Sequence, residues 1–140
     1  MEDPQKIWSE YYERILNRKI DESKMAWEQL HQDGVSGNTI FALDFEHFGN
    51  DKESIEKQSK QLSENYEVDI SGPDEKGYFQ LTGTTRPYGV EFEKSDFIAW
   101  VEFMCEVSQS YGCVFSTWKL ESPKMGKSWS NADFESERYS

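Results

Sequence analysis

Between Asp33 and Leu120 the spacing of apolar positions changes several times, with a polar turn at each change. From Thr39 to Phe48 the run TIFALDFEHF alternates Phe41, Leu43 and Phe45 with Ala42, Asp44 and Glu46. That is the period of a strand with one wet face. Asn50 with Glu53 three residues on reads as a capping box, opening a helix through Asn65 whose apolar stripe is Ile55, Leu62 and Tyr66. Tyr66–Ile70 and Tyr78–Thr85 form two further strands, joined as a hairpin by Gly72, Pro73, Asp74 and Gly77. Ser95 can cap a helix running to Tyr111, Gly112 ends it, and Cys113 to Leu120 makes the last strand.

Strand, helix, strand, strand, helix, strand is the order of a ferredoxin-like sandwich, an α+β fold with a four-stranded antiparallel sheet and its helices on one face. Ahead of it, Asp3 and Pro4 make a helix start. Trp8, Tyr12, Ile15, Trp27 and Leu30 then recur at roughly helical spacing, and the polar stretch Asn17 to Glu22 divides the pattern into two helices before Gly34 ends it. After Pro123 the chain is polar and aperiodic, which predicts a flexible tail in which Trp129 and Phe134 are either incidental or a docking motif. The expected organisation is therefore a helical extension over 1–32 that packs on the domain, the sandwich over 33–122, and a tail over 123–140.

The last helix is apolar over an arc of about 220°, wider than the ~100° stripe needed to pack on a sheet. Either Trp100, Phe103 and Val107 receive the N-terminal helix through Trp8, Tyr12 and Ile15, or the rings stay exposed as anchors for a partner. Trp118, on the last strand, is a third candidate anchor.

Charge narrows the choice of partner. The chain carries 27 acidic and 15 basic residues, a net charge of -12, and 13 acids against 6 bases lie between Asp33 and Lys94. Such a field disfavours nucleic acid and anionic membranes. Asp44, Glu46, Glu67 and Asp69 fall on the wet positions of the strands, where an RNA-binding sheet would carry basic and aromatic residues. They would repel RNA and attract a protein with a basic surface. No window approaches the ~20 apolar residues of a membrane span, and the opening MEDPQK is acidic where a secretory leader would be basic, so a cytoplasmic setting is expected. Cys105 and Cys113 fall in apolar segments and are expected as buried thiols.

Residues for chemistry are sparse. His31 and His47 have no CxxC, HxxxH or HExxH spacing around them, and no glycine pattern cradles phosphate, so neither metal nor cofactor is expected. No nucleophile is placed beside an activating base. Asp44 and Glu46 could be read as a carboxylate pair, but acids on a solvated strand face need no catalytic role. The expectation is a protein that is not an enzyme.

The stretches QDG at Gln32–Gly34, FALDFEHF at Phe41–Phe48, LSENYEVDI at Leu62–Ile70 and TWKLES at Thr117–Ser122, in this order and spacing, resemble the family of the regulator of ribonuclease E activity B. That family consists of protein inhibitors of an RNA-degrading endonuclease. Its Gly-Trp-Gly turn reads here as Ser116-Thr117-Trp118-Lys119, its acidic C-terminal run is replaced by a mixed tail, and Met1 to about Ile20 is additional. The resemblance implies a regulator that occupies a basic surface of a ribonuclease or its scaffold, with Asp44, Glu46, Glu67 and Asp69 as the acidic face and Trp100, Phe103 and Trp118 as anchors. An immunity protein that neutralises a basic nuclease toxin is the alternative reading. A small-molecule-binding module or enzyme with a cleft between sheet and N-terminal helix is the third. Both a monomer and a homodimer through the N-terminal helix are compatible with the pattern.

Overall fold

The computed structural model of the chain describes residues 3–35, 39–86 and 89–131. The fold is mixed α+β, with three helices and a six-stranded antiparallel sheet among these residues. In chain order the elements are α1 (Pro4–Gln32), β1 (Ile40–Gly49), α2 (Lys52–Leu62), β2 (Glu67–Ser71), β3 (Phe79–Thr84), β4 (Val90–Glu91), α3 (Lys94–Ser110), β5 (Val114–Ser122) and β6 (Lys127–Ser130). The sheet runs β2-β3-β1-β5-β6, and β4 pairs with the start of β1. The hairpin of β2 and β3 forms as predicted.

The core lies where β1 turns its alternate residues inward. Phe41, Leu43, Phe45 and His47 are buried there, joined by Leu81 of β3 and by Phe115, Trp118 and Leu120 of β5. Ile55 and Leu62 of α2, with Phe97, Trp100, Val101 and Met104 of α3, close over them. Gly83 leaves room for the Phe45 ring, since a Cβ there would overlap Phe45 Cζ.

Helix α1 starts as expected, with the Asp3 carboxylate accepting from the Gln5 amide at 3.1 Å. It then runs unbroken through Asn17–Glu22, where two helices were expected. Its buried face is Ile15, Lys19, Glu22, Ser23, Ala26 and Leu30, a helical stripe that is polar in the middle. The polar members find partners: Lys19 Nζ donates to the Ser116 carbonyl at 2.6 Å and lies 3.6 Å from Glu22, and Ser23 Oγ donates to the Ile20 carbonyl. A period read from apolar residues alone sees this stretch as a gap. Gly34, at φ +94°, ends the helix while the Val35 amide bonds back to the Leu30 carbonyl at 3.0 Å.

Four other boundaries move. Asp51, one residue beyond the expected cap, accepts from the Ser54 amide and hydroxyl, and α2 stops at Leu62, short of Asn65. Glu93, not Ser95, precedes α3, its amide donating to the Asp96 carboxylate at 3.1 Å. Beyond residue 122, where a flexible tail was expected, the chain turns and returns as β6 along β5. Trp129 is buried there, edge-on to Phe41, with its indole donating to Asp33 at 2.8 Å. Phe134 lies outside the described residues.

Candidate functional site

Alternation along β1 places the residues between the core positions on the opposite face of the sheet, which none of the described helices covers. The pairing of strands then aligns them into two cross-strand rows. One runs Glu67, Thr84, Asp44, Lys119, Ser130; the other runs Asp69, Thr82, Glu46, Thr117. All nine line one open concavity of about 690 Å³. Asp44, Glu46, Glu67 and Asp69, predicted from two separate stretches of sequence, therefore stand at the corners of a single rectangle. Its sides are about 7 Å along the strands and about 10 Å across, with Thr82 and Thr84 between the acidic columns.

The four acids are not equivalent. Asp44 accepts from Thr84 Oγ1 at 2.5 Å and from Arg86 Nε at 3.4 Å. The same guanidinium reaches Glu121 at 2.9 Å, and these bonds, Glu121 first and then Asp44, hold Arg86 more firmly protonated. Glu46, Glu67 and Asp69 have no ion-pair partner among the described residues. Two carboxylates about 7 Å apart repel by roughly 0.6 kcal/mol in a water-like dielectric, so the face carries a standing repulsion that a cationic partner would relieve.

The aromatic candidates divide differently. Trp118 is 1% exposed and meets the Phe97 ring edge-on at 4.9 Å. Trp100 is 9% exposed, stacks on Phe97 and donates to the Tyr66 hydroxyl at 3.0 Å. Both belong to the core and cannot anchor a partner. Phe103, at 45% exposed, remains accessible, but it lies on α3 and does not line the concavity. Apart from Phe103, the wide apolar arc of α3 is covered by two neighbours, the sheet and α1. Trp8, expected to help cover that arc, is itself 58% exposed and sits against Tyr11 and Tyr12.

A second polar group was missed by the sequence reading. His47 Nδ1 lies 2.5 Å from Ser108 Oγ, and Gln58 Nε2 donates to the same hydroxyl at 3.1 Å. The histidine ring and the glutamine amide thus meet on one buried hydroxyl. A serine against a histidine suggests an activated nucleophile, but His47 and Ser108 are buried to 1% exposure or less, so this pair meets no substrate. Burial pushes the His47 pKa down to about 3. His47 Nε2 and Gln58 Oε1 find no protein partner among the described residues. The only sequence signal was a histidine on an apolar strand face.

Between α1, α3 and β5, the crevice lined by Tyr12, Ile15, Cys105 and Cys113 measures about 10 Å³. That is room for one water at most, too little for a ligand. The cysteines beside it are free and buried, and burial raises Cys105 to about 12 and Cys113 to about 11, far from thiolate chemistry at neutral pH. Among the described residues no three His, Cys, Asp or Glu side chains converge on a metal position, and no helix is long and apolar enough to cross a membrane. In comparison with known proteins, the chain matches no family model, and no curated protein matches its sequence significantly.

Proposed function

We propose that this chain is a non-enzymatic, cytoplasmic protein-binding regulator, similar to the regulator of ribonuclease E activity B family, that inhibits a ribonuclease by occupying its basic surface. The observation that carries the proposal is the acidic concavity, where Glu46, Glu67 and Asp69 face solvent and, among the described residues, no cation pairs with them and no helix covers their face of the sheet. The strand order β2-β3-β1-β5 supports reading the centre of the molecule as a ferredoxin-like sandwich, to which β4, β6 and α1 are added. Two free thiols with no disulfide suit a reducing compartment. Charge complementarity would speed encounter, and its effect would weaken as salt screens it beyond about 10 Å at 0.1 M.

Cleavage of a fluorogenic single-stranded RNA by purified ribonuclease E, titrated with the chain, tests this reading. Inhibition is expected, weakening with salt and lost in the double variant Glu46→Lys/Asp69→Lys. Arg86→Ala, which removes a cation from the rim, should inhibit at least as well as the parent. Absence of both inhibition and binding at low salt would refute the proposal.

A further inference from the structure

The two edges of the sheet are finished differently. At one end β6 is only four residues long, and beyond it the β5 edge is closed by side chains. The Asn131 amide accepts from the Trp118 backbone N–H at 2.9 Å and donates to the Ser116 carbonyl at 3.2 Å, standing in for one residue of a paired strand. Lys19 Nζ takes the same carbonyl. At the other end, β2 pairs with β3 on its inner side, and no described strand lies outside it. Among the described residues, the outer hydrogen-bonding groups of Glu67–Ser71 are therefore an open row.

Its side chains restrict what can pair there. Glu67 and Asp69 lie on the concave face and are exposed, while Val68 and Ile70 are half-buried and pack against the core from the other face. A second copy of β2 added antiparallel would bring carboxylates against carboxylates, and like charges directly opposite are destabilising. A strand with cations at alternate positions and aliphatic residues between them would match both faces. Its cations would stand about 5 Å from Glu67 and Asp69, and its aliphatic side chains would extend the Val68 and Ile70 surface.

We infer that β2 is a docking edge for an extended segment of a partner protein in which lysine or arginine alternates with aliphatic residues, added to the sheet as a further strand. This rests on the proposed regulator reading and specifies how the partner is held: backbone pairing supplies the grip, and the charges supply the selection.

The test uses the full chain and a fluorescent five-residue peptide alternating lysine and valine. Binding is followed by anisotropy, and backbone-amide hydrogen exchange is followed by NMR. Exchange should slow at the alternate set of β2 amides that β3 leaves unpaired. Peptide N-methylated at the pairing positions should bind about tenfold more weakly, the loss expected for one to two hydrogen bonds. Asp69→Lys, with its NMR spectrum showing the fold retained, should weaken binding of the unmodified peptide.

Equal binding of the two peptides with unchanged β2 exchange would overturn the inference while leaving the acidic face as a binding surface. Absence of peptide binding would overturn it too, and the regulator reading would then stand or fall on ribonuclease inhibition alone.

Discussion

Replacing His47 with phenylalanine should remove most of the loss of stability between pH 7 and pH 5. In the folded chain His47 is fully buried and uncharged, with its pKa pushed down to about 3, while the unfolded chain takes up a proton near the ordinary value of 6.5. Below pH 6.5 the unfolded state therefore binds one more proton than the folded state. Stability contributed by the neutral histidine is complete above 6.5 and falls as pH drops from there toward 3, at about 1.4 kcal/mol per pH unit. Integrated from pH 7 to pH 5, the loss is about 2 kcal/mol.

For a domain of this size with a urea slope of roughly 2 kcal/mol/M, the midpoint should move down by about 1 M. In the His47→Phe variant this component vanishes, although the variant starts lower at neutral pH because Ser108 loses one of its two partners. Asp33 and Asp51 also titrate with folding: side-chain bonds from Trp129 and Ser54 respectively hold them below the usual carboxylate range. Their contribution is lost only as pH falls through about 4 and is common to both proteins. Urea titrations of both at pH 7, 6 and 5 read the difference directly, and parallel shifts of the two midpoints would refute the reasoning.

Two further changes probe how the sheet is closed. Asn131→Ala removes both bonds to β5 and leaves the buried Trp118 amide unpaired, so thermal unfolding should report a loss of about 1–3 kcal/mol; an unchanged melting temperature would mean that β5 does not need this amide. Gly83→Ala places a methyl group inside the Phe45 ring and should cost about 1–3 kcal/mol. Combining it with Phe45→Leu should cost less than the sum of the two single changes, and strict additivity in urea titrations would contradict the packing account.

Much of the candidate site was legible in the sequence, because alternation is decided locally. Phe41, Leu43 and Phe45 point inward, so Asp44 and Glu46 must point out, and the same holds for Glu67 and Asp69 beside Val68. What could not be read was register. Nothing local says that Asp44 and Glu67 both face Thr84, or that Glu46 and Asp69 both face Thr82. Trp100 and Trp118 were misread because hydrophobicity predicts a ring's cost in water and not what covers it. Strand β6 was missed for a related reason: Trp129 is a lone apolar residue in a polar stretch, and the Asp33 carboxylate that receives it is 96 residues away. The break expected in α1 at Asn17–Glu22 arose from treating Lys19 and Glu22 as surface, when each is buried with a partner.

The polar middle of α1 also bears on the order in which the chain is made. Lys19 leaves the ribosome first, but the carbonyl it grips belongs to Ser116, 97 residues later. Closing a loop of that length costs about 4 kcal/mol in chain entropy, which only the finished interface can offset. Until then α1 has to wait in water as a 29-residue helix or coil with its future interface exposed. A stripe of leucines would be an invitation to other nascent chains during that interval. Lysine, glutamate and serine at its centre remain well hydrated while they wait, and become structural only when β5 arrives.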